Sequence, residues 1–224
     1  MRKFVGVAIL TLVATLGAKA DSLVFNTGPG ASSGGWTIAN ETTPVFSSNY
    51  YEDLAAEISL SSPTTITAMD GWFSPVNLGP GVSSGLVEVA LFTDSGNPSS
   101  PLGSWIVSED MSIVDGSGTN WYGVSGLNAA VSAGDYWIVF SSDTRNFDTY
   151  MPGVASPLPE SLLGFDYITA NGMHPTGSQA GIEVYGNTSG ATGSVPDSAS
   201  TVLLLACGLI GLAVAATRRT RQMA

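Results

Sequence analysis

Between residues 21 and 196 the chain has a single basic residue, Arg145, against 17 acidic ones, a formal charge of −16 over that segment. Binding to phosphates needs cationic side chains that displace counterions, so nucleic acid is excluded as a partner. Adhesion to anionic lipid headgroups by charge is excluded for the same reason. Cysteine is almost missing: Cys207 stands alone, inside an apolar run near the C-terminus. The segment before it therefore has no disulfide, no thiol nucleophile and no thiolate metal site, and its fold rests on core packing. Histidine is equally scarce, with His174 the only one. That excludes multi-histidine metal sites. A Ser–His–Asp triad would have to use His174, which sits in a turn-like Asn-Gly-Met-His-Pro stretch with no recognisable serine partner. Charge of either sign is sparse, at 11% of residues against roughly 25% in ordinary soluble domains.

What the chain does have is apolar content and turn formers. At 224 residues and 44% hydrophobic, it has room for one ordinary domain plus appendages. Its 27 glycines and 12 prolines follow no collagen-like period and separate short apolar runs. From residue 21 to about 186 no segment sustains helical apolar spacing. Runs rich in β-branched and aromatic residues predict strands at 22–26, 36–39, 55–60, 64–73, 86–93, 103–107, 121–124, 135–141, 163–168 and 182–185. Residues 50–56 are expected to add one helical turn. Leu86 to Phe92 partly alternates, and Glu88 on one face implies a sheet with one wet side. The run 136–140 after Asp135 is continuously apolar, as expected of a core strand between two layers. Short strands separated by regular turn signals predict an all-β ectodomain, a β-sandwich or jelly-roll-like fold.

The two ends carry targeting signals. Met1-Arg2-Lys3, an apolar stretch over 4–17 and Ala18-Lys19-Ala20 have the three parts of a cleavable signal peptide, residues 1–20. The apolar stretch is short for a membrane span. Signal peptidase, cutting after Ala20, and the secretion translocon are the implied partners. The expected ectodomain covers 21–186, and a Gly/Ser/Thr linker covers 187–194. Then come Val195-Pro196-Asp197-Ser198, a charge-free stretch over 199–217, and the basic cluster Arg218, Arg219 and Arg221. The charge-free stretch is close to the ~20 residues that a helix needs to cross hydrocarbon. Arginines resist burial in the bilayer, so they stay cytoplasmic. The span is therefore expected N-out and C-in, anchoring the protein in the inner membrane.

This order of Pro-acidic motif, single span and terminal arginines resembles the PEP-CTERM type of sorting signal. The string Val195-Pro196-Asp197-Ser198 is closest to its VPDSG-CTERM variant, with Ala199 standing where the variant has glycine. The resemblance covers residues 195–221 and nothing upstream. It implies cleavage near Pro196-Asp197 by an exosortase-like membrane enzyme, then delivery to the cell surface or an exopolysaccharide or biofilm matrix. The stretch from Leu91 to Pro98, together with Trp105, Trp121-Tyr122 and the run from Gly134 to Trp137, resembles β-sandwich ectodomains that precede such tails. It supplies no known site.

Within the ectodomain, Gly81-Val82-Ser83-Ser84-Gly85 matches G-x-S-x-G. A nucleophile elbow needs a strand before it and a helix after it; here a Pro-Gly turn precedes and a strand follows. No enzymatic activity and no cofactor are expected. Two acid-bearing turns, Asp94 with Asn97 and Asp115 with Asn120, are candidates for a structural Ca²⁺, although neither meets the EF-hand template and β-turns favour these residues anyway. Aromatic faces suit sugar rings, and the chain has five tryptophans. Trp121 and Tyr122 are the candidate sugar-contact pair, while Trp137 is expected in the core. The reading is a structural or adhesive exported protein. The alternatives are a carbohydrate-binding module and an extracellular hydrolase, the latter favoured by any pocket that gathers two carboxylates.

Overall fold

The computed structural model describes residues 21–31, 35–42, 49–75, 83–98, 100–142, 144, 147–155 and 159–188. The expected signal peptide, sorting motif and 199–217 span, and all seven lysines and arginines, lie outside these described residues. The described strands are β1 (Ser22–Asn26), β2 (Trp36–Thr42), β3 (Asn49–Leu60), β4 (Thr64–Phe73), β5 (Ser84–Asp94) and β6 (Leu102–Val114). They continue with β7 (Asn120–Val131), β8 (Gly134–Ser142), β9 (Phe147–Met151), β10 (Gly164–Thr169), β11 (Gly172–Pro175) and β12 (Ile182–Thr188). No helix long and apolar enough to cross a membrane occurs among the described residues.

Alternation of side chains builds both sheets. Along β4, Ile66, Met69 and Phe73 are buried while Asp70 and Trp72 are half-exposed, the two-residue period of a strand with one covered face. Strand β4 lies in a four-stranded antiparallel sheet of order β1-β12-β4-β7. The second sheet runs β11-β10-β3-β8-β5-β6, with β2 paired to the first part of β3 and to β9. Phe73 of the first sheet meets Phe140 of the second edge to face, with centroids 5.4 Å apart. The two sheets thus share one core, which includes Leu54, Ile58, Leu91, Ile138 and Val184. The described residues form an all-β domain, as the turn-punctuated sequence predicts.

A second, smaller apolar cluster lies on the opposite side of the larger sheet. It holds Ala55, Trp137 and Val139, with Phe92, Leu102, Ile168 and Met173 packed on them. The continuous apolar run of β8 therefore serves two faces. Tyr136, Ile138 and Phe140 enter the main core, and Trp137 and Val139 enter the outer cluster. Trp137 is buried as expected, but on the outer side.

Three local expectations change. Residues 50–56 form part of β3 rather than a helical turn, because pairing with β2, β10 and β8 supplies ladder bonds along its whole length. His174 lies on strand β11 rather than in a loop, opposite Tyr167 of β10. Strands β6 and β7 extend well beyond 103–107 and 121–124. In the second half of β6, Ser108, Glu109, Asp110 and Ser112 interrupt the buried Met111 and Ile113, so no continuous apolar run marks it.

Candidate functional site

Directly paired residues in an antiparallel sheet project from the same face. Register pairs Trp105 of β6 with Phe92 of β5, Phe92 with Trp137 of β8, Trp137 with Glu57 of β3, and Glu57 with Gly164 of β10. One row thus crosses five strands on the outer face of the larger sheet. Three aromatic residues fill one end of it and a carboxylate the other. Over the row opens a cleft of about 400 Å³, floored by Trp137 and Glu57. Asp94, Asn97 and Pro98 wall it on one side, and Asp166, Met173 and Pro175 on the other.

Each wall is braced by local chemistry. The indole Nε1–H of Trp137 donates to Asp94 Oδ1 at 3.2 Å, and the other carboxylate oxygen of Asp94 accepts from Gly96 N at 3.0 Å. Gly96 has φ +68°, a left-handed conformation that glycine adopts without Cβ penalty. Ser95 N donates across the turn to Pro101 O at 2.8 Å, closing the loop between β5 and β6. The opposite wall is the β10–β11 hairpin. Tyr167 stacks on His174 with centroids 4.8 Å apart and on Trp36 at 5.8 Å. The rings of Trp36 and Tyr167 also pack on the main core or against each other, so this stack holds the hairpin from beneath while Asp166 faces the cleft. Gly164 keeps the floor open: a Cβ there would come within 3.1 Å of both Glu57 Oε2 and Trp137 Cη2.

Three acids line one small cleft, and no lysine or arginine lies among the described residues. Burial holds the carboxyl of Glu57 above its usual range, and the negative charges of Asp94, Asp135 and Asp166 add to the effect. Burial also raises Asp166, with His174 acting in the opposite direction. Even so, no group of three or more acidic, histidine or cysteine side chains among the described residues is placed to hold a metal ion.

The residues named from sequence separate. Asp94 and Asn97 line the cleft, where both oxygens of Asp94 already accept hydrogen bonds from the protein. Asp115 directly follows β6 and Asn120 opens β7, and neither is part of that lining. Trp121 and Tyr122, expected as a pair, point to opposite faces of β7, as neighbours on a strand must. Trp121 meets Trp72 edge to face at 5.3 Å. Tyr122 packs on the main core and Phe73, and its hydroxyl donates to Gly118 O at 2.7 Å. Ser84 and Gly85 of the G-x-S-x-G string begin strand β5. The motif residues 195–198, the basic cluster and the Ala18-Lys19-Ala20 site lie outside the described residues.

A second acidic surface lies on the smaller sheet, where Asp70 pairs across strands with Glu183 and with Gly123. Burial, reinforced by the Glu183 charge, pushes the Asp70 carboxyl up to about 6. The Tyr185 hydroxyl donates to Glu183 Oε2 at 2.7 Å, a bond that, with burial and the charges of Glu183 and Asp70, pushes the phenol up to about 12.

Sequence inspection passed over Glu57, Gly164 and Asp166. The one available signal was Glu57 itself, a lone acid in the apolar run Leu54 to Leu60. Fold and cleft together define an all-β domain of facing antiparallel sheets, with an acidic, tryptophan-floored groove on one outer face. Compared with known families and curated proteins, the chain matches neither a family model nor a curated protein.

Proposed function

We propose that the domain is the carbohydrate-binding part of an exported surface or matrix protein. The observation that carries this reading is the Trp137–Glu57–Asp94–Asp166 cleft. Sugars offer apolar ring faces and many hydroxyls, and they suit a concave site in which an aromatic residue and hydrogen-bond acceptors converge. Delivery fits the two chain ends: a signal peptide over 1–20, and a PEP-CTERM-like tail with its motif at 195–198 and a span over 199–217. An exosortase-like enzyme would process the tail, leaving a polyanionic domain in a polysaccharide setting.

The test is a polysaccharide pull-down of the full-length chain beside its Gly164→Val variant. The new side chain would occupy the space between Glu57 and Trp137, so capture should fall at least ten-fold at a temperature where the variant, checked by its melting curve, is still folded. Undiminished capture would place sugar binding elsewhere. For the tail, mass spectrometry in the native host should show a C-terminus near Asp197 in the wild type and an intact one after Pro196→Ala with Asp197→Ala. Equal processing of both would end the sorting assignment.

A glycoside hydrolase is the second reading, favoured because the cleft gathers three carboxyls and burial raises Glu57 toward the protonated form that a general acid needs. Release of reducing ends from a bound polysaccharide, abolished by Glu57→Gln, would select it over simple binding.

A further inference from the structure

The cleft opens onto an aromatic strip that runs to the edge of the sheet. Trp105, on the outermost strand of that sheet, is 60% exposed, although large aromatics usually bury most of their surface. It sits two strands from Trp137, roughly 10 Å away at ordinary strand spacing, with Phe92 between them in register. We propose that this face binds an extended glycan carrying free amino groups. An amine would be held in the cleft by Glu57 and Asp166, and the next sugars would lie over Phe92 and Trp105. The inference rests on the carbohydrate reading and narrows it to a ligand class.

Charge argues for the amine. Glu57, Asp94 and Asp166 line the cleft without a lysine or arginine among the described residues. The field therefore repels uronate or sulfated chains and attracts ammonium groups. An ammonium between Glu57 and Asp166 would also offset the burial that disfavours their charged forms. The exposed indole of Trp105 suits either the apolar face of a sugar or a cation above its ring. The row's direction argues for length, because one monosaccharide in the cleft would leave Trp105 uncovered.

The experiment measures affinity of the full-length chain for three hexamers of equal length: β-1,4-glucosamine, its N-acetylated form and an oligouronate. The glucosamine hexamer should bind, with affinity falling as salt is raised. The acetylated form should be at least ten-fold weaker, and the uronate should fail to bind. Trp105→Ala, at an exposed position, should keep the wild-type melting curve and weaken the glucosamine hexamer about five-fold without changing affinity for the dimer. Glu57→Gln with Asp166→Asn should erase the preference for the free amine. Equal affinity for the free and acetylated hexamers would overturn the amine inference and leave sugar binding standing. An unaffected Trp105→Ala would remove the strip from the site. If none of the three hexamers binds, the carbohydrate reading itself fails.

Discussion

The indole of Trp137 donates its one hydrogen bond to Asp94, so a residue on the floor of the cleft also fixes the position of its wall. The same carboxylate caps the turn through Gly96 N. Two covalently distant segments are thus joined by one acidic side chain, and the shape of the groove depends on it.

Asp94→Ala should therefore loosen the loop between β5 and β6. Leaving the indole N–H without its partner costs about 1–3 kcal/mol for a buried donor, with the lower end expected because Asp94 itself is partly exposed. The variant should unfold at lower urea concentration and be cut faster by protease in the loop. Identical urea midpoints would mean that the loop holds without this bond.

Asp70 gives a pH dependence of defined sign. Its carboxyl ionises near 3.8 in the unfolded chain and at about 6 in the folded one, so between those values the folded state binds more protons. Its contribution to stability is complete below about pH 4 and is lost as pH rises to about 6. The groups facing it are Glu183 and Tyr185 of β12, and Gly123 of β7 adds no charge. Relative to the wild type, Asp70→Asn should gain stability progressively from pH 4 to 6 and hold that difference above it. Parallel melting-temperature profiles for the two proteins would contradict the shifted titration.

Thr149 of β9 is fully buried, and its Oγ1 has no hydrogen-bond partner. Replacing an unsatisfied hydroxyl by a methyl of similar shape removes a desolvation cost, so Thr149→Val should raise stability by about 1 kcal/mol. A lowered chemical-denaturation midpoint would show that the hydroxyl is engaged after all.

Strands β1 and β4 were legible to the residue, because their apolar alternation and flanking turns are local properties. Strands β9 and β11 were not. Phe147 to Met151 carries Asp148 and Thr149 in its middle, and its partner β2 lies more than a hundred residues earlier. Of the cleft, the sequence marks Asp94 and Asn97, as a candidate Ca²⁺ turn rather than as a wall of this groove. Trp121 and Tyr122 separate because adjacency in the chain is opposition on a strand.

By itself, the sequence determined the all-β class and the polyanionic character of the middle segment, because residue-scale alternation and composition carry that information. Only the tertiary structure decided that Glu57, Asp94, Trp137 and Asp166 share one groove, and that the aromatic row ends at Trp105. Those residues come from strands far apart in the chain. Their meeting depends on antiparallel register, where a slip of one residue would send each side chain to the opposite face.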